Sequence, residues 1–146
     1  MRHRVTGRGF GRNTNQRKAL LRGLVIALFE HQRIETTLAK AKEAKKMAEH
    51  IITLARAGDL HSRRLALSCI GNKNAVLKLF DEIIPKLKQR NGGYLRVLKS
   101  RVRPGDGSSM AILEFVDYES LRKEKKEKEE KKKKVVETRS GEAAKS

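Results

Sequence analysis

Residues 37–58 read TLAKAKEAKKMAEHIITLARAG, and this stretch decides the fold. Leu38, Ala41, Ala44, Met47, Ala48, Ile51, Ile52 and Ala55 recur at the i, i+3, i+4 rhythm, so the segment predicts a long helix over roughly 38–57 with one apolar face. Thr37 stands where a side-chain oxygen can cap its first turn. Gly58 stands where a helix leaves through a left-handed residue. Lys42, Lys45, Lys46 and Arg56 occupy the same stretch, and taken alone they read as a solvated face.

Working upstream, Leu20, Leu21, Leu24, Val25 and Leu28 make a second helical apolar face, with Asn13 or Thr14 as its cap. Arg17, Lys18 and Arg22 fall largely off that face, so one helix is core on one side and cationic on the other. Arg33–Thr37 reads as a short extended piece with Ile34 inward. Downstream, Asp59 caps a third helix ending at Gly71, and Asn72 caps a fourth ending near Pro85. The rhythm then changes. Gln89–Gly93 is rich in turn formers, Tyr94–Lys99 alternates as a strand does, and Met110–Val116 is rich in strand formers. Pro104-Gly105-Asp106-Gly107 marks the loop between them. The two strands pair most economically as an antiparallel hairpin, with Ser100–Ser109 projecting as a finger. The elements together predict an α+β domain.

The ends differ from this middle. Residues 1–22 carry Arg2, Arg4, Arg8, Arg12, Arg17, Lys18 and Arg22 and no acid, while Gly7, Gly9 and Gly11 alternate with Arg8 and Phe10. Glycine at that density holds no regular structure by itself, so residues 1–13 read as an extended basic arm that orders on its partner. From Leu121 the apolar pattern stops, and Arg122–Lys134 holds nine basic and four acidic residues with no apolar side chain. Three regions follow: an arm over 1–13, a globular domain over 14–118, and a Lys/Glu-rich tail over 119–146 that is expected to be disordered in isolation.

Over its 146 residues the chain has 35 Lys+Arg against 17 Asp+Glu, a net charge of +18. Such an excess repels itself in a compact state unless a polyanion neutralises it. Nucleic acid does so with release of condensed counterions, and an anionic membrane surface is the other polyanion. Composition alone does not choose. The longest wholly apolar run, Leu24–Phe29, is too short to span a bilayer. No Trp/Phe-rich face suits an interfacial helix either. No membrane partner is therefore expected, and the N-terminus lacks the apolar core of a secretory signal. With Cys69 as the single cysteine, no intramolecular disulfide can form, and the expected setting is cytoplasmic.

No catalytic or metal pattern emerges. His3, His31, His50, His61 and Cys69 show no metal-ligand spacing, and Cys69, flanked by apolar residues in a helix, reads as core packing. Gly7, Gly9 and Gly11 neither follow a strand nor open a helix, as a dinucleotide site requires. The expectation is no enzyme, no cofactor, no metal and no small-molecule substrate.

The arm is the strongest functional signal. Six of its seven basic residues through position 22 are arginine, whose planar fork pairs with phosphate and stacks on bases. Together with Phe10 this favours RNA. Candidate RNA-binding residues are Arg2, His3, Arg4, Arg8, Phe10, Arg12 and Asn13 in the arm, and Arg17, Lys18 and Arg22 on the first helix. Lys40, Lys42, Arg63, Arg64, Arg96 and Lys99 extend the set to the other elements. Cations on every element suggest a polyanion met from several sides, whereas a reader of one DNA groove concentrates charge on one element. A DNA-compacting nucleoid protein shares the charge and is the alternative.

Several segments in register resemble the bacterial large-subunit ribosomal protein seventeen family. They are Met1-Arg2-His3-Arg4 with Arg12-Asn13, Arg33-Ile34-Glu35-Thr36-Thr37 with Lys40-Ala41-Lys42-Glu43, and Gly58-Asp59-Leu60-His61-Ser62-Arg63-Arg64. Gly92-Gly93-Tyr94-Leu95-Arg96 and Gly105-Asp106 with Met110-Ala111-Ile112-Leu113-Glu114 complete the pattern over about residues 1–117. The resemblance implies helices packed on one face of a small three-stranded mixed sheet. It also implies large-subunit ribosomal RNA and neighbouring ribosomal proteins as partners, with an assembly role near the peptide exit tunnel in translation. The tail departs from the compact family pattern, and no role carries over to it.

Overall fold

The computed structural model describes residues 7–87 and 90–116. Arg2, His3 and Arg4 of the predicted arm, and the whole predicted tail, lie outside the described residues.

Helix α1 spans Thr14–His31 and opens on a capping box: the Asn13 side chain accepts from the Gln16 amide, and the Gln16 side chain accepts from the Asn13 amide. Two amides that the first turn leaves open are thereby paired. The helix ends at Gln32, which is left-handed (φ 65°) and turns the chain into strand β1, Arg33–Thr37. Helix α2 follows at once over Leu38–Ala55. Thr37 holds its N-cap position but makes no side-chain cap bond. It is also the last residue of β1, paired with Met110, so the strand ladder sets its conformation.

Helix α3, Leu60–Ile70, is capped by Asp59 and closed by left-handed Gly71, and α4, Lys73–Lys78, is capped by Asn72. The run ends at Leu87, near Pro85 as expected, but it passes through the proline to get there. A π-helical turn over Leu79–Ile83 leads into α5, Ile84–Leu87, so Pro85 sits inside the helical run. Proline lacks an N–H and its ring collides with the carbonyl four residues back. The widened turn, in which the Ile84 amide reaches the Leu79 carbonyl, loosens the ladder just before the proline and lets the helix pass.

Strands β2, Leu95–Val102, and β3, Ser109–Phe115, form the expected hairpin, and β3 also pairs with β1. The order is β1-β3-β2 and both pairings are antiparallel, so the sheet is antiparallel and not mixed. β1 and β2 run the same way, but β3 lies between them, so no parallel ladder forms. The finger is shorter than expected because Val102 still pairs with Ser109, across a bulge that gives β2 one extra residue after Lys99. At its tip the Asp106 carboxylate accepts from both Arg103 Nε (3.0 Å) and Nη2 (2.6 Å), and from the Ser108 amide and hydroxyl. These bonds hold its carboxyl well below the ordinary carboxylate range.

The core sits between α2 and the sheet. Ala41, Ala44, Ala48, Ile51, Ile52 and Ala55 are fully buried on α2, as its spacing requires. Val25, Leu28 and Phe29 of α1 and Leu113 and Phe115 of β3 close over them, with the Phe29 and Phe115 rings 6.4 Å apart. The alanines let the neighbouring elements approach closely, and burial of such apolar area drives the packing.

Candidate nucleic-acid interface

Residues 7–13 form no featureless arm. The Arg12 amide donates to the Gly9 carbonyl (3.2 Å), and both residues between, Phe10 (φ 58°) and Gly11 (φ 62°), are left-handed. Two positive φ angles mark a primed turn. A bulky aromatic residue held there costs on the order of 1–3 kcal/mol, the kind of strain that gathers at functional sites. The turn leaves Phe10 half-buried at its apex with Arg8 and Arg12 exposed on either side.

Arg17 ties this segment to the helices. Its Nε donates to the Arg8 carbonyl (2.7 Å), and its Nη2 lies 3.5 Å from Glu43 of α2. Gly7 approaches the same guanidinium: φ is +90°, and a Cβ there would lie 2.9 Å from Arg17 Nη2. The positive φ is what favours glycine here, since the guanidinium end of Arg17 could shift.

The predicted cations divide into two groups. In one, the charge has a protein partner. Arg22 donates to the Cys69 (2.8 Å) and Ser68 (3.1 Å) carbonyls at the end of α3, where a cation also meets the negative end of the helix dipole. Arg63 lies over the Phe80 ring (4.6 Å) and 3.5 Å from Asp81. Arg96 donates to Glu114 (2.6 Å), a carboxylate that is 2% exposed and also 3.3 Å from Arg33. In the other group the side chains are exposed: Arg8, Lys18, Lys42, Arg64 and Lys99, with Arg12 exposed while donating to the Phe10 carbonyl (2.7 Å) and Asn13 exposed but committed as the α1 cap. Lys40 is half-buried between these extremes.

Two clefts gather members of the exposed group. One, of about 370 Å³, has Arg8 and Lys42 beside Ser108 and Ser109 of the hairpin, and its floor is the first turn of α2 at Thr37, Leu38 and Ala39. The first turn of α2, which has no side-chain cap, and two cations border one opening, a setting suited to an anion. The other cleft lies between α1, α2 and α3 and brings in Lys46 beside Lys18. Its position in sequence sets Lys46 with a solvated stretch; only packing places it against α1. Cys69, expected in the core, is half-exposed and lines this second cleft.

Among the described residues no group of His, Cys, Asp and Glu could hold a metal ion, and no helix is long and apolar enough to cross a membrane. The geometry offers exposed cations and a strained aromatic tip.

Comparison with known proteins agrees in its own terms. The family model described as Ribosomal protein L17 matches residues 20–116. Large ribosomal subunit protein bL17 of Thermodesulfovibrio yellowstonii is 57% identical over 124 residues, which cover 85% of this chain and 93% of that protein. The bL17 of Clostridium acetobutylicum is 51% identical over 109 residues, 75% of this chain and 96% of that protein. That of Geobacter metallireducens is 47% identical over 125 residues, 86% of this chain and 70% of that protein.

Proposed function

The chain belongs to the ribosomal protein L17 family, and we propose from this premise that it grips large-subunit ribosomal RNA, acting as a structural constituent of the large ribosomal subunit and not as an enzyme. The observation that carries the mode of binding is the division among the cations. Arg17, Arg22, Arg63 and Arg96 are tied to groups on other elements, whereas Arg8, Lys18, Lys42, Arg64 and Lys99 are exposed, as is Arg12, which bonds within its own turn to the Phe10 carbonyl. The first set fixes the geometry of the domain, and the second neutralises phosphates where RNA strands crowd.

Residues 1–13 act as the inserted arm, with Arg2, His3 and Arg4 extending the basic surface that Arg8 and Arg12 begin. Phe10 stacks on a base, which RNA offers readily in loops and bulges. Residues 14–118 are the scaffold domain, and 119–146 a Lys/Glu-rich tail to which no role is assigned. Neighbouring large-subunit ribosomal proteins complete the set of partners, in the ribosome of the bacterial cytoplasm during translation.

Sedimentation of cell extract at physiological magnesium, followed by a salt wash, tests this. Co-sedimentation with large subunits that survives moderate salt is the expected result. Recovery only in free or chromosomal fractions would overturn it and favour the DNA-compacting reading.

A further inference from the structure

The cleft between α1, α2 and α3 has about 480 Å³ of space, within the roughly 300–1,000 Å³ typical of small-molecule sites. Its floor is apolar, built by Leu21, Met47 and Cys69, one from each helix. Its rim is cationic. Lys18 and Lys46 are exposed there, and Arg17 stands beside them. Glu43 is the one carboxylate in the lining, and Arg17 at 3.5 Å and Lys46 at 3.2 Å offset it.

A bare phosphate site needs no apolar floor, and an apolar core pocket needs no cations. An apolar floor under a cationic rim fits a ligand whose flat apolar ring is joined to phosphate. An unstacked nucleotide has that chemistry, and proteins take such bases out of single-stranded RNA onto apolar and planar side chains. Met47 supplies a polarizable thioether suited to a ring. Gly7 stands at the cleft edge next to Arg8, so the basic segment that meets RNA leads directly into it.

We propose that this cleft receives one unstacked nucleotide of the bound RNA, its base on Leu21, Met47 and Cys69 and its phosphates on Lys18 and Lys46; the inference rests on the RNA-binding reading above. A neighbouring acidic, apolar peptide is the rival occupant.

Cys69 is the single cysteine of the chain, so its thiol reports on the cleft. Alkylation of the full-length protein is timed alone, with protein-free large-subunit rRNA transcript, and in assembled large subunits, while gel shift scores RNA binding. With transcript at about ten times the Kd, mass action leaves roughly a tenth of the cleft open, so alkylation slows about tenfold. Short-wavelength irradiation joins bases to contacting side chains, and an adduct on the Cys69 peptide is expected. The double variant Lys18→Ala/Lys46→Ala should reduce the slope of log K against log salt by about 1.5, at roughly 0.7–0.9 per phosphate contact, with only a small drop in melting temperature from the lost exposed Lys46–Glu43 pair, since Arg17 still faces Glu43. RNA binding with unaltered Cys69 reactivity would overturn the cleft and leave the RNA reading standing. Adducts on other peptides but none on Cys69 would overturn the base assignment. Protection confined to assembled subunits would give the cleft to a protein neighbour, and absence of RNA binding would overturn both readings.

Discussion

Glu114→Gln removes a charge that the outer side of the sheet is built around. Glu114 lies on the central strand, 2% exposed, with Arg96 Nε 2.6 Å from one oxygen and Arg33 Nε 3.3 Å from the other. The amide keeps the shape but leaves two guanidinium groups facing each other across β3 with no anion between them. A hydrogen bond to a charged group contributes roughly 1.5–3 kcal/mol. Removing one partner of a fully buried ion pair costs about 3–5 kcal/mol. The arginines, however, are 43% and 42% exposed, and water screens such contacts toward the surface-pair value of up to about 1 kcal/mol each. The expected loss is therefore about 2 kcal/mol. With a urea m-value of about 2 kcal/mol per molar, the unfolding midpoint falls by about 1 M at unchanged m. RNA affinity measured well below that midpoint should keep its salt slope, because Glu114 meets no phosphate. A midpoint unchanged by the substitution would refute the account, showing that the carboxylate holds nothing that its amide cannot.

Three further outcomes follow from the geometry. Deleting residues 1–12, which spares the Asn13 cap, should lower the RNA salt slope by about 3 through loss of four arginines; the melting temperature should barely move, as gel shift and calorimetry together would show. Asn13→Ala breaks the capping box and should lower unfolding free energy by about 1 kcal/mol in urea titration. The Asp106 carboxyl, held down by Arg103 and then Ser108, should titrate by carbon NMR below the ordinary Asp value of about 3.9. Because its folded pKa is depressed, its contribution is present above the unfolded value and disappears as pH falls through the folded one. Asp106→Asn should remove that acid-side dependence, and an ordinary Asp midpoint in the parent chain would count against the clamp.

Local chemistry made much of the fold legible. The period of residues 38–55 specifies the helix and the face it buries, because an apolar stripe at 3.6-residue spacing has one stable use. Asn13, Asp59 and Asn72 announce helix starts because a cap bonds amides only two or three residues on. The hairpin follows in the same way from two strand-forming runs around Pro104–Gly107. Where two local rules compete, the sequence places the feature but not its detail. Pro85 marks the end of the helical run to within two residues, and the π-helical turn before it carries the helix on to Leu87. Thr37 is a cap by type, yet its place in the β1 ladder governs it.

What only tertiary structure decided is which cations are available. Sequence by itself determined the total charge, its arginine-rich beginning, and its spread over every element, and these point to a polyanion whatever the fold. It could not separate Arg96 from Lys99, or Arg22 from Lys18. Arg96 meets Glu114 eighteen positions away and Arg22 meets Cys69 forty-seven positions away. Such pairings are set by how strands register and helices cross, which no local spacing encodes. The sheet shares this origin: antiparallel order β1-β3-β2 arises when a strand from one end of the domain is captured by the far edge of a hairpin from the other. Charge is a property each residue carries alone, whereas its availability to a partner depends on what the folded chain places beside it.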